Sequence, residues 1–66
     1  MRVWVNGEAL DAPEQANLAR FLAGLGIDPA KVAVERNRAI VPRSQYQATM
    51  LAEGDRLEIV QFVGGG

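Results

Sequence analysis

The sequence predicts an α+β chain in which a mixed sheet of about five strands packs on one helix. Three observations carry that prediction. Asn6-Gly7 separates two short alternating stretches, a single segment repeats its apolar residues at helical spacing, and the most apolar stretch comes last, at 56–63. At 66 residues the chain is expected to form one domain that hides roughly 60% of its unfolded surface.

Arg2–Val5 alternates, with the β-branched Val3 and Val5 on one side, as a half-buried strand does. Asn6-Gly7 follows. Both central positions of a two-residue hairpin need positive φ, which this dipeptide adopts most readily. The return strand is expected over 8–12, with Leu10 on the buried side. Asn17 is the expected helix N-cap, its side chain accepting from an otherwise orphaned backbone N–H. Leu18, Phe21 or Leu22, and Leu25 then share one helical face. Gly26 stands where a left-handed residue ends a helix, Ile27 closes back on the last turn, and Pro29 forbids continuation.

Val32 and Val34 alternate in a third strand over 31–36, and Asn37-Arg38 turns the chain. Ala39–Val41 is a short fourth strand stopped by Pro42, whose missing N–H suits the edge of a sheet. Residues 43–52 are mixed, with Tyr46, Met50 and Leu51 expected to pin a loop or single helical turn to the core. Glu53-Gly54-Asp55 reads as a turn with two solvated acids. In 56–63, Leu57 and Ile59 face one way and Glu58 the other, while Val60, Phe62 and Val63 break strict alternation. A strand in the middle of the sheet, parallel to the first, accounts for that nearly continuous apolar pattern.

Composition then narrows the chemistry. With no cysteine and no histidine, a disulfide framework, a thiol nucleophile, an imidazole proton shuttle and an ordinary zinc site are all excluded. A net charge of -1 argues against a nucleic-acid module. No apolar run approaches a membrane span, and the polar start argues against a secretory leader. The expectation is a soluble cytoplasmic domain, monomeric when free. Glu53 and Asp55 are a poor acid–base pair beside the simpler reading as a turn. Gly64-Gly65-Gly66 lacks the lysine and following helix of a phosphate-cradling loop. The chain is therefore expected not to be an enzyme.

The three final glycines point elsewhere. Residues without Cβ can pass in extended form through a channel too narrow for any side chain. A terminal carboxylate on such a thread can attack the α-phosphate of ATP in a partner's site and leave as an acyl-adenylate, ready to accept sulfur or an amine. On the glycines alone, a functionless frayed end is an equal reading.

Longer stretches add to this. Val32-Ala33-Val34-Glu35-Arg36-Asn37 with Ile40-Val41-Pro42-Arg43-Ser44, and the run from Leu51 through Glu53-Gly54-Asp55 to Gly65-Gly66, resemble the ThiS-type sulfur carriers of thiamine biosynthesis. The opening strand with Asn6-Gly7-Glu8 and the helix ending Leu22-Ala23-Gly24-Leu25-Gly26 are similar as well. The resemblance implies a β-grasp (ubiquitin-like) domain over 1–63 and a flexible glycine tail over 64–66. It also implies that Gly66 supplies the reactive carboxylate, with Gly65 its partner in the Gly-Gly motif and Gly64 extending it. An E1-like adenylyltransferase (ThiF-type) would use ATP on that terminus, the chain itself binding no cofactor. A cysteine desulfurase would provide sulfur, and thiazole synthase (ThiG-type) would take it from the thiocarboxylate for the thiazole ring.

Arg36 departs from a position that is often apolar in that family. Trp4 lies on the opposite face of its strand from Val3 and Val5. With Val60 or Phe62 it is expected to form an apolar docking patch on the open sheet face, and Val63 and Gly64 continue the partner-binding set. Cover by local side chains is the other reading of Trp4. Arg36, Arg38 and Arg43 read as a solvated basic edge that deters strand-to-strand aggregation, ahead of contacts to partner carboxylates. Sister carriers for molybdopterin or cysteine synthesis, and a ubiquitin-like tagging module, would share the same terminus.

Overall fold

The sheet is organised around its last strand. The computed structural model describes residues 1–62. Val63, Gly64, Gly65 and Gly66, and with them the expected domain boundary and tail, lie outside the described residues. The strands are β1 (Arg2–Val5), β2 (Glu8–Asp11), β3 (Val32–Arg36), β4 (Ala39–Val41) and β5 (Arg56–Gln61). A single helix, α1 (Leu18–Gly24), and 3-10 turns at Pro29–Lys31 and Arg43–Gln45 complete the elements. The sheet order is β2-β1-β5-β3-β4. β5 runs parallel to β1, with Trp4 opposite Arg56, and antiparallel to β3, with Val34 opposite Ile59. The expected central place of the last strand is thus observed, and β4 with its closing Pro42 is an edge.

Local chemistry sets each junction. Asn6 and Gly7 take φ of 51° and 85°, the left-handed pair that a tight hairpin needs, and Val3 faces Leu10 across it. The Asn17 side chain accepts from the Arg20 N–H at 2.8 Å, capping α1. At the other end Gly26 takes φ 76°, its N–H reaches the Ala23 carbonyl at 3.0 Å, and the Ile27 N–H reaches that of Leu22 at 2.9 Å. Those two bonds satisfy carbonyls that the ended helix leaves free. Because the helix stops at Gly24, Leu25 becomes its cap and is 41% exposed instead of completing the apolar face.

Val3, Leu18, Leu22, Val34 and Leu57 are fully buried between the helix and one face of the sheet. Tyr46 and Leu51 close this core from the connecting loop, as expected, and the Tyr46 hydroxyl donates to the Val32 carbonyl. Met50 does not join them. It bridges to Asn17 and is half exposed, since neighbouring extended residues face opposite ways. With one α-helix among the described residues, only one face of β5 is covered by them, so its apolar continuity does not reflect burial on both sides.

The 53–55 turn differs most from expectation. Glu53 is exposed and accepts from the Arg2 N–H at 2.9 Å, but Asp55 is only 5% exposed. Its carboxylate accepts from Arg36 Nε at 2.8 Å, the Ala52 N–H at 2.9 Å and Asn37 Nδ2 at 3.1 Å. Burial alone would push this carboxyl up, yet the Ala52 N–H, Asn37 and Arg36 outweigh it and hold the pKa below its ordinary 3.8. Arg36 therefore neutralises an inward acid and is no part of a solvated basic edge. Arg43 is also engaged, donating to the Pro29 and Ala30 carbonyls at 3.3 and 3.2 Å. Among the three arginines, Arg38 alone is without such a contact among the described residues.

Asp55→Ala is expected to cost about 2–3 kcal/mol in chemical denaturation, because it strands Arg36 and Asn37 without their acceptor. The sign of the pH effect follows from the depressed pKa. The carboxylate's contribution is complete above the ordinary value and is lost as pH falls through the lower folded value. Denaturation midpoints of the parent chain should therefore drop, as pH falls below the ordinary carboxyl value of 3.8, more steeply than those of Asp55→Asn.

Candidate functional site

The place where β5 delivers the chain toward its glycines is fixed from both sides. On the β1 side the bonded residues of β5 are odd-numbered. Trp4 N–H donates to the Asp55 carbonyl at 2.8 Å and Asn6 N–H to that of Leu57 at 2.9 Å. The next partner would come from a continued β1, but the chain has already turned. The Asn6 side chain substitutes for it. Its Oδ1 accepts from the Ile59 N–H at 2.8 Å and its Nδ2 donates to the Ile59 carbonyl at 3.1 Å. One amide thus pairs with both backbone groups of Ile59, as a strand residue would.

Asn37 does the same at the start of β5 from the β3 side. Its N–H donates to the Arg56 carbonyl at 2.7 Å and its Oδ1 accepts from the Arg56 N–H at 2.9 Å. The last described contact is the Phe62 N–H on the Lys31 carbonyl at 2.9 Å. A cleft of about 450 Å³ opens beside this end of β5, between Val5, Asn6, Gly26, Ile27, Lys31 and Gln61. Among the described residues no three acidic side chains converge on a metal-binding geometry.

The outer sheet face carries exposed apolar side chains. Val60 is 61% and Phe62 57% exposed, and Ile40 on the edge strand is 76% exposed. Trp4 is not among their neighbours. The parallel register sets it opposite Arg56, whose guanidinium lies 5.3 Å from the indole centroid, a cation–π contact. Val60 lies four residues further along β5, about 13 Å at strand rise. The expected Trp4–Val60 patch is therefore absent, and local cover of Trp4 is the observed arrangement. Between the two, Glu35 and Glu58 are opposite one another and both exposed, a like-charge pairing that weakens a sheet.

Of the site residues expected from sequence, Val60 and Phe62 share the exposed face, Trp4 stands apart, and Val63 and the glycines lie outside the described residues. The Asn6 amide was missed because an asparagine before glycine is fully explained by the turn it makes. Its second task depends on the β1–β5 register, for which no local signal exists.

A five-stranded mixed sheet in this order, with its last strand central and one helix held against it, is a β-grasp, ubiquitin-like fold. A crystal structure titled thiamine biosynthesis protein (ThiS) from Geobacter metallireducens superimposes with a TM-score of 0.83 at 33% identity, over all of both chains. The sulfur carrier protein ThiS of Bacillus subtilis is 42% identical over 46 residues, 70% of each chain. A thiazole synthase of Magnetococcus marinus is 48% identical across the whole of this chain. The chain spans only 20% of that relative's length. The ThiS family model matches residues 3–66. The chain belongs to the ThiS family.

Asn6→Gly retains a hairpin-competent turn and removes both bonds to Ile59. Amide exchange at Ile59 is expected to quicken about tenfold, while the Phe62 amide, held by Lys31, keeps its rate. Unchanged exchange at Ile59 would show that the Asn6 side chain does not hold the strand.

Proposed function

We propose that this chain carries sulfur on the carbonyl of Gly66 for thiazole formation. The observation that supports this most is the extent of the family match, which runs through Gly64, Gly65 and Gly66 to the last residue. In this reading a carboxylate oxygen of Gly66 attacks the α-phosphorus of ATP in an E1-like adenylyltransferase, and pyrophosphate leaves. A cysteine desulfurase supplies sulfur as an enzyme persulfide, two equivalents of a thiol reductant release it at the sulfide level and leave as a disulfide, and that sulfide then attacks the acyl carbon. AMP departs with the bridging oxygen, and a thiocarboxylate remains. Thiazole synthase takes that sulfur, a partner suggested by the relative of that name with this sequence pattern as one fifth of its length.

The domain's own part is mechanical and steric. It holds no ATP and moves no proton. β5 presents the glycines from a clamped root, and glycine admits the terminus where a Cβ would collide. Docking falls to the exposed face around Val60 and Phe62, with Ile40 at its margin, while Trp4 stabilises the opposite end of that face. The reaction belongs in the cytoplasm, where its ATP-dependent partners would act.

Intact mass spectrometry after incubation with ATP, the adenylyltransferase, a desulfurase with cysteine and a thiol reductant should show oxygen exchanged for sulfur at Gly66. Deleting Gly66 should abolish the exchange with no loss of thermal stability. Exchange in the deletion variant, or none in the parent chain, would overturn the reading. Separately, Val60→Asp is expected to weaken adenylyltransferase binding about tenfold while leaving the denaturation midpoint within about 0.5 kcal/mol of the parent.

A further inference from the structure

Two asparagines hold β5 from its two flanks, and the residue that follows each of them differs. Asn6 and Asn37 share a φ of 51°. The Asn6 side chain pairs with both backbone groups of Ile59, and that of Asn37 with the Arg56 N–H and the Asp55 carboxylate. Asn37 is followed by Arg38, but Asn6 is followed by Gly7. Glycine has no Cβ, so its backbone nitrogen is the least hindered nucleophile that can stand next to an asparagine carboxamide. A Cβ built on Gly7 would meet nothing within 4 Å. Asn6 and Gly7 are both exposed, so water reaches the turn.

We propose that Asn6 is a site of hydrolytic modification by deamidation, held closed by its two bonds to Ile59, and that its conversion releases the end of β5. In this reaction the Gly7 nitrogen gives its proton to solvent and attacks Asn6 Cγ. The Cγ–Nδ2 bond breaks, Nδ2 takes a proton and leaves as ammonia, and a cyclic imide remains. Water then opens the imide. Attack at Cγ gives aspartate, and attack at the backbone carbonyl gives isoaspartate. Water is consumed and ammonia released in equal amounts, and nothing is oxidised or reduced. Ring closure requires Cγ to swing onto the Gly7 nitrogen. The carboxamide is held across the ladder while Oδ1 accepts from the Ile59 N–H at 2.8 Å and Nδ2 donates to the Ile59 carbonyl at 3.1 Å. The step therefore waits for a local opening that frees both bonds. Once formed, the products cannot restore the pairing. A carboxylate only accepts, so with one oxygen on the Ile59 N–H the other faces the Ile59 carbonyl, acceptor against acceptor. Isoaspartate adds a methylene to the backbone and carries the turn out of register with Ile59.

Peptide mapping by mass spectrometry, on the full chain kept in mildly alkaline buffer with and without denaturing urea, tests this directly. Asn6 should convert about tenfold or more faster in the unfolded chain than in the folded one, and Asn37 should outlast Asn6 in urea. The isoaspartate fraction of the folded chain, separated by chromatography, should exchange its Ile59 amide about tenfold faster than the parent, with Phe62 exchange unchanged. Asn6→Asp supplies the other product in pure form and should raise the unfolding equilibrium constant about tenfold. An Asn6 that survives in urea as long as Asn37 overturns the modification site. Conversion as fast in the folded chain as in urea overturns the clamp. Parent-like Ile59 exchange in the isoaspartate fraction, or parent-like stability of Asn6→Asp, overturns the release of β5.

Discussion

A central strand needs hydrogen-bond partners on both sides, and this protein's flanking strands are too short to supply them all. Side-chain amides make up the difference. Asn37 completes the pairing of Arg56 from the β3 side, and Asn6 completes that of Ile59 from the β1 side. Both asparagines sit at left-handed turn positions, with φ of 51° each, so the residue that turns the chain is also the one that finishes the ladder. The Asp55 carboxylate belongs to the same arrangement, since it fixes the Asn37 amide and Arg36 while closing the turn that leads into β5.

The two faces of β5 serve different ends. Leu57 and Ile59 lean toward the helix, and Leu57 is almost fully enclosed. Glu58, Val60 and Phe62 face outward, where no second layer among the described residues covers them. A sheet selected for stability alone would not place Glu58 opposite Glu35 or leave Val60 and Phe62 bare. Those choices are intelligible for a surface that meets other proteins. The Trp4–Arg56 stack marks where that surface gives way to ordinary structural cover.

Most of the fold was legible because its signals are local. The Asn6-Gly7 turn, the Asn17 cap, the Gly26 ending, the Pro42 stop and the alternation of β3 each follow from neighbouring residues, and together they leave few topologies. What sequence could not show were relations set by register. Trp4 was assigned the correct face but the wrong neighbour, because a parallel pairing with Arg56 cannot be read from either strand. Asp55 looked like a solvated turn residue, because its partners Arg36 and Asn37 stand nearly twenty positions earlier in the chain. Leu25 and Met50 were placed inward by spacing, and each fell outside because its element ended or alternated one residue away from the assumed phase. Membership of the ThiS family was legible in the resemblance of the longer segments, and not in any pocket.

The parallel alignment of β1 and β5 bears on how the domain withstands tension. A pull applied along β5 from its last described residue meets bonds to β1 and β3 that lie crosswise to it. The bonds on both flanks are then strained together in shear, and none can open first as the tooth of a zipper does. A load on the end of β5 is therefore shared by the whole ladder, and the body of the domain keeps its shape.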